Sequence, residues 1–277
     1  MSRHWFITGS NRGIGRAVVD ASLAAGDRVV ATARDPHTLA DLADRVTALP
    51  LDVRNRDDAF DAARAALDAV GHIDVVVNNA GYGLVGAAEE LSEVQVRDQM
   101  DTNFFGALWV SQAFAPHLRA RGRGRIVQIS TVGAVGALPL FGLYNASKWA
   151  LEGFSAALAE ELRPFGVQVT IAQLGGFDTD WAKSSMQFAT ALPAYAPTRE
   201  AILGMPGYPT APPPVDPEWA EPAPDVAAAE LLALVDDADP PLRRIIGPGA
   251  SEMVAAALDQ RRLDYAKDPA FVWPSAD

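Results

Sequence analysis

Tyr144 and Lys148 stand four residues apart in Tyr144-Asn145-Ala146-Ser147-Lys148. On a helix that spacing brings a phenol and an ammonium onto one face, where they can converge on a shared site. A free phenol titrates near about 10 and is a poor base at neutral pH, and a neighbouring ammonium favours the phenolate and lowers that value. The pair could therefore exchange a proton with a carbonyl or alcohol oxygen. By spacing alone it could equally be an ordinary surface pair. A second chemistry is offered by Thr8-Gly9-Ser10-Asn11-Arg12-Gly13-Ile14-Gly15. Glycines let main chain approach a pyrophosphate, and a helix N-terminus behind them presents free N–H groups and a favourable dipole. Taken alone, three glycines also describe a plain turn.

The elements that must position these residues are legible as alternating runs. Short β-like runs at Trp5-Ile7, Arg28-Ala33, Thr47-Leu51, Ile73-Val77, Arg125-Ile129, Val167-Ala172 and Leu242-Ile246 are separated by helix-period segments near 14–25, 56–69, 94–119, 145–163 and 225–236. Strands alternating with helices predict crossover connections and a parallel sheet. The expectation is a Rossmann-like, doubly wound α/β domain of about seven strands, a single domain over residues 1–277. The glycine turn then falls at the first strand-to-helix crossing, where such sheets bind dinucleotides. Composition narrows the chemistry. A net charge of -12 argues against nucleic acid and anionic membranes, and no run approaches the roughly 18 apolar residues of a membrane span. Cysteine is absent, which excludes disulfides and thiol catalysis, and His4, His37, His72 and His117 share no metal-ligand spacing. The glycine turn follows the N-terminus so closely that no signal peptide is expected, and a cytoplasmic location fits. Arg119, Arg121, Arg123 and Arg125 lack interleaved aromatics and read as a charged surface turn.

The glycine spacing, with Asn78-Asn79-Ala80-Gly81 and the Tyr-x-x-x-Lys pair in order, resembles the short-chain dehydrogenase/reductase family over roughly residues 3–180. The resemblance implies that Tyr144 exchanges the proton at the reacting oxygen, that Lys148 supports it and bonds the nicotinamide ribose, and that Asn103 helps hold a relay water. The family's serine lies thirteen residues before the tyrosine, which here is Thr131. Ser130 is adjacent, and strand alternation points the two in opposite directions, so both are not expected to serve; register favours Thr131, the alternatives being Ser130 or neither. Cofactor contacts are implied at Gly9, Ser10, Asn11, Arg12, Gly13, Ile14, Arg34, Asp52, Val53, Asn79, Ala80 and Gly81, and at Phe177 and Thr179 near the carboxamide. The family's Pro-Gly-x-Val/Ile-x-Thr is here Leu174-Gly175-Gly176-Phe177-Asp178-Thr179, and the lost proline implies a less rigid turn. NAD users in the family end the second strand with an acidic residue. Here that place is Ala33, followed by Arg34, and with Arg12 this implies NADP(H). No metal is implied.

The expected activity is hydride transfer between NADPH and a carbonyl or secondary alcohol of a fairly apolar small molecule, in a homodimer or homotetramer. Two rival readings are a dinucleotide-sensing regulator without turnover and an epimerase or dehydratase of the extended relatives, whose glycine spacing differs. Ten of the 20 prolines lie between Pro193 and Pro224, which breaks regular structure. The segment 181–224 also carries Tyr195, Ile202, Leu203, Met205, Tyr208 and Trp219. It therefore reads as a substrate-covering insertion with an apolar lining rather than a disordered linker. Asp225 is placed to cap the helix that follows. Trp149 reads as packing, and 249–277 as a final helix and a tail that is packed or partner-bound.

Overall fold

Trp5 and Ile7 of β1 (His4–Ile7) join one buried cluster and Phe6 joins another, and none of the three is exposed. The same split recurs in β4 (Val75–Asn78), where Val75 and Val77 side with Trp5 and Val76 with Phe6. A strand apolar on both faces needs a helical layer on each. Helices α1 (Gly13–Ala24) and α7 (Pro224–Asp236) cover one face through Val18, Val19 and Leu231. Helices α2 (Arg56–Val70), α4 (Gly106–Arg121) and α5 (Gly142–Leu162) cover the other through Ala62, Phe114 and Leu158. The computed structural model describes residues 2–179, 185–210 and 221–272.

The remaining strands of this sheet are β2 (Arg28–Ala33), β3 (Thr47–Pro50), β6 (Gly124–Thr131), β7 (Val167–Leu174) and β9 (Arg243–Ile246). All pairings are parallel, in the order β3-β2-β1-β4-β6-β7-β9. This is the doubly wound α/β domain expected from the sequence. The order reverses between β1 and β4, so the loops leaving those two strands diverge and open a crevice at their carboxyl ends. A separate two-stranded parallel sheet joins β5 (Leu84–Val85) to β8 (Gln187–Phe188).

Two helices differ from expectation. The segment near 94–119 is α3 (Glu93–Met100), a π-turn over Asp101–Phe105, and then α4; the Gly106 N–H reaches back five residues to the Asp101 carbonyl. The wider turn brings Asn103 into the interior, where its side chain finds partners, and such bulges gather at functional sites. Asp225 does not cap α7. Ala223 holds the cap position, Pro224 takes the first turn, where its fixed φ suits a helix, and the Asp225 carboxylate accepts the Val226 N–H at 2.9 Å. The charged run spans the last turn of α4 (Arg119, Arg121), the connecting turn (Arg123) and the start of β6 (Arg125), and Arg121 pairs with Asp74 at 2.9 Å.

The described part of the insertion is docked, not loose. Tyr195, Ile202, Leu203 and Tyr208 pack with Phe188 on Val85, Ala87 and Leu140, while Met205 stays exposed. The expectation that these side chains line a substrate pocket is corrected: they form a satellite core, because burying them on the β5 loop removes more apolar surface from water than a cavity wall would. Trp219, Trp181 and the Pro212-Pro213-Pro214 run lie outside the described residues. Beneath that core sits a buried ion pair. Glu90 accepts from the Leu192 N–H at 2.7 Å and the Ala87 N–H at 2.9 Å, and bonds Arg199 and the Tyr208 hydroxyl. Arg199, from α6 (Ala196–Leu203), also donates to the Pro206 carbonyl at 2.7 Å and the Leu192 carbonyl at 2.8 Å. At the far end of the chain, α8 (Ala250–Tyr265) packs Ala250 and Val254 on Val132 and Val135. Its Arg261 lies over the half-exposed Trp149 ring, 4.6 Å from the centroid. Phe271 in the tail packs on Tyr265, and Trp273 lies outside the described residues. Among the described residues no helix is long and apolar enough to cross a membrane.

Two outcomes follow for stability. Arg199→Met leaves the Glu90 carboxylate buried without its counter-charge, a change that costs about 3–5 kcal/mol. Denaturant unfolding should show that loss and proteolysis should reach 185–210 first; a change under about 1 kcal/mol contradicts the anchoring role. Burial also holds His72 and His117 below the ordinary imidazole range. Their protonation favours the unfolded chain, so this part of the stability is complete above about pH 6.5 and is lost as pH falls through the depressed folded values. Urea midpoints should fall between about pH 7 and 5, and His117→Gln should flatten that fall; an unaltered slope in the variant overturns the assignment.

Candidate active site

The crevice between β1 and β4 holds a cavity of about 650 Å³. Its floor is the glycine turn. Gly13 has φ +55°, a conformation side chains resist, and a Cβ on Gly15 would meet the Gly9 carbonyl oxygen at 2.3 Å and Asn79 Nδ2 at 2.4 Å. Asn79 Nδ2 donates to the carbonyls of Thr8 at 2.9 Å and Gly9 at 3.1 Å, and Thr8 Oγ1 accepts the N–H groups of Asn79 and Ala80, both at 3.0 Å. The Asn79 side chain thus stitches β4 to the turn, while the residue still lines the cavity with Gly9, Asn11, Arg12, Gly13, Ile14, Ala80 and Gly81. Ser10 is a correction. Its side chain is fully buried and donates to the Ile7 carbonyl at 2.8 Å, and its N–H bonds the Thr32 carbonyl at 2.9 Å. It holds the turn and does not line the cavity. α1 begins without a side-chain cap and without an acidic residue in its first turn, so its first N–H groups are left for a partner from outside the helix.

Beyond the turn, Arg34, Asp52 and Val53 also line the cavity, beside Ala33, Asp35 and Thr38. Arg54 grips the Asp52 carboxylate through Nε at 3.0 Å and Nη2 at 2.6 Å, which holds that carboxyl below its usual range. Arg12 and Arg34 make no side-chain hydrogen bond or ion pair with another described residue. A close-approach glycine floor, an uncapped helix N-terminus and the guanidinium groups of Arg12 and Arg34 form a donor set that fits a dinucleotide. Among the described residues no cluster could hold a metal ion.

Thr131, Tyr144 and Lys148 come to the same cavity from β6 and α5. Strand alternation separates Ser130 from Thr131 as expected. The Ser130 hydroxyl turns under the sheet and donates to Glu152 at 2.8 Å, whereas the Thr131 hydroxyl hydrogen-bonds Tyr144 and accepts the Gly133 N–H at 3.2 Å. Lys148 Nζ is buried and donates to the Ile129 carbonyl at 2.8 Å. The expected lowering of the Tyr144 phenol is reversed. Burial pushes it up to about 12 and the Thr131 bond works the other way, because taking a phenolate out of water costs more than that bond returns. Burial likewise brings Lys148 down to about 8, with Glu152 pulling it back up. Asn103 sits behind them. Its Oδ1 accepts the Tyr82 N–H at 3.0 Å, and its Nδ2 donates to the Tyr82 carbonyl at 3.0 Å and to Ser147 Oγ at 3.1 Å. The side chain thereby fixes Tyr82, the residue that follows Gly81. A Cβ on Gly81 would lie 3.1 Å from Asn103 Oδ1 and 3.5 Å from Lys148 Nζ.

The turn after β7 is better held than the missing proline implies. Leu174 stays in the ladder, in register with Thr131 and Ile246, and the Gly175 N–H continues it to the Ile246 carbonyl at 2.8 Å. Phe177 and Thr179 both line the cavity; the Phe177 ring is buried in the core, and Thr179 lies 3.6 Å from where a Gly13 Cβ would be. Sequence reasoning missed Tyr82, Arg54, Ser185, Gln187 and Glu221 in the lining, and Glu152 beneath it. Two carried a signal: Tyr82 directly follows Asn-Asn-Ala-Gly, and Glu152 is a carboxylate one helical turn beyond Lys148 in an otherwise apolar stretch.

The description short chain dehydrogenase belongs to the family whose profile matches residues 3–189. Oxidoreductase BOA17 of Botryotinia fuckeliana is 36% identical over 268 residues, 94% of either chain. A solved short-chain dehydrogenase from Streptomyces avermitilis is 35% identical, with a TM-score of 0.85 over 96% of this chain and 97% of that one. A short chain dehydrogenase from Burkholderia cenocepacia, solved in complex with NADP, is 25% identical with a TM-score of 0.74 over 98% of either chain. The ordered motifs, the parallel sheet and these likenesses agree, and the chain belongs to the short-chain dehydrogenase/reductase family of oxidoreductases.

Proposed function

We propose that this chain is an NADPH-dependent carbonyl reductase, or equally an alcohol dehydrogenase in the reverse direction, with Thr131, Tyr144, Lys148 and Asn103 as its working residues. The observation that carries the reading is the meeting of Thr131, Tyr144 and Lys148 on the cavity that the glycine turn floors. A bound nicotinamide would supply or accept the hydride. Thr131 and Tyr144 would hold the substrate oxygen between two hydroxyls. Burial pushes the Tyr144 phenol up to about 12, so it would meet a carbonyl oxygen as a proton donor and, in the reverse direction, would take the proton back from the alcohol. Lys148 would place a positive charge behind the phenol and reach a ribose hydroxyl. Asn103 would keep the Tyr82 peptide fixed beside them. Gly9, Asn11, Gly13 and Ile14 would take the pyrophosphate, Phe177 and Thr179 the carboxamide, and Arg12 and Arg34 a 2′-phosphate in bidentate fashion.

A non-catalytic sensor has no use for a buried lysine beside a buried tyrosine, and burying that ammonium is expensive. The glycine spacing speaks against the extended epimerases. The apolar residues of the insertion no longer argue for an apolar substrate, since they pack elsewhere. The half-buried aromatic side chains of Phe104 and Phe105 on the π-turn and Trp109 at the start of α4 suit a homodimer or homotetramer built on that region. A cytoplasmic setting fits a chain without cysteine.

The test of the chemistry is turnover of NADPH with a panel of ketones and aldehydes. Tyr144→Phe should abolish it while cofactor affinity, read by fluorescence titration, stays nearly unchanged; near-wild-type activity in that variant overturns the assignment. For the cofactor, kcat/KM with NADPH should exceed that with NADH by at least about tenfold, roughly 1.4 kcal/mol, and Arg34→Ala should shrink the ratio. Equal use of both cofactors by the native chain defeats the assignment of Arg12 and Arg34.

A further inference from the structure

Glu152 is 6% exposed, and its carboxylate is held from three strands. Ser130 Oγ on β6 donates to Oε1 at 2.8 Å, Gln173 Nε2 on β7 to Oε1 at 2.9 Å and Oε2 at 3.1 Å, and Arg243 Nε on β9 to Oε2 at 3.0 Å. A buried carboxylate is costly unless its oxygens are bonded and its charge is answered. One answer is Arg243, whose side chain reaches in from the surface at 45% exposure. The other is Lys148, one helical turn back on the same face of α5 and itself buried. Among the described residues Glu152 is the only charge whose field on Lys148 is resolved. Asp98, Asp101, Arg54 and Arg34 act instead on Tyr82. The network also begins one residue from the Ile129 carbonyl that receives Lys148 and one residue from Thr131.

We propose that Glu152 is a positioning residue of this active site: its buried carboxylate, fixed by Ser130, Gln173 and Arg243, is the counter-charge that keeps Lys148 protonated at the cavity wall. The inference rests on the reading of Lys148 as the partner of Tyr144, but the coupling can be measured without turnover. In water an ammonium needs no such help. Here the ammonium loses most of its hydration, and a fixed negative charge one turn away restores the balance towards the charged form. The same carboxylate ties the end of β6 to α5, so that Thr131 and Tyr144, which leave those two elements, meet at one place. Arg243 limits the effect, since it draws part of the Glu152 field towards the sheet edge.

The chain has three lysines, Lys148, Lys183 and Lys267, so lysine labelled with carbon-13 at Cε gives a spectrum in which Lys148 can be assigned by its loss in Lys148→Arg. In the full-length protein, Glu152→Gln should lower the Lys148 midpoint, with a shift of one pH unit being about a tenfold loss of proton affinity. The alkaline limb of the kcat/KM profile should move with it. An unmoved Lys148 midpoint overturns the proposal even if activity falls, because lost packing alone would lower activity without moving that titration. If Glu152→Gln does not accumulate as folded protein, Arg243→Gln decides the matter. It alters a half-exposed side chain on the edge strand and removes the competing cation, so the Lys148 midpoint should rise; no change or a fall overturns the proposal. Failure of these titrations leaves the Tyr144→Phe result untouched, so the two readings fall separately.

Discussion

The structure depends on how closely the turn after β1 approaches the end of β4. A Cβ at Gly15 would stand 2.3 Å from the Gly9 carbonyl oxygen, and Asn79 and Thr8 close the remaining gap with hydrogen bonds in both directions. That contact fixes the N-terminus of α1 against the end of β4. The chain after β4 then runs through Gly81 and Tyr82 to the π-turn, where Asn103 clamps the Tyr82 peptide. The floor of the cavity and the wall behind the reactive pair are therefore one connected piece of main chain, and a displaced floor would displace the wall.

Near the cavity the fold buries charge under α5 and under the insertion, and in both places surrounds it with hydrogen-bond partners. Under α5, Lys148 and Glu152 lie in the interior with the Ile129 carbonyl, Ser130, Gln173 and Arg243 as partners. Under the insertion, Glu90 and Arg199 are held by main-chain groups and Tyr208. Such networks give less net stability than apolar packing of the same volume but penalise any other arrangement severely, since an unpaired buried charge is costly. The first network underlies Thr131, Tyr144 and Lys148 at the cavity wall. The second fixes the insertion beside the cavity, which Ser185, Gln187 and Glu221 border.

The two reactive groups are held under opposite tendencies. Burial makes the phenol reluctant to lose its proton and the ammonium readier to lose its own. A neutral phenol beside a lysine whose proton is loosely held is the combination that burial leaves at the cavity wall. The hydroxyl of Thr131 and the field of Glu152 each work against the effect of burial, and neither reverses it.

The sequence by itself determined the alternation of strands and helices, and with it the sheet and its switch point, because hydrophobic period is a local property that survives in the chain. Gly9, Gly13 and Gly15, Asn79, and the Tyr144–Lys148 pair were legible for the same reason: their roles follow from residue type and short spacing. What only the tertiary structure decided concerns direction and partnership. Ser10 faces the core because its N–H and hydroxyl find carbonyls on β1 and β2. Asn103 turns inward because a π-turn of one extra residue rotates it, which no helical period reveals. The apolar residues of the insertion look like a pocket lining in the sequence and are a packed core in the fold, since only the distant β5 loop and Leu140 supply the opposing surface. The elevated Tyr144 phenol belongs to this second class too: a lysine four residues away is visible in the sequence, but the loss of water around both groups exists only once the chain has closed over them.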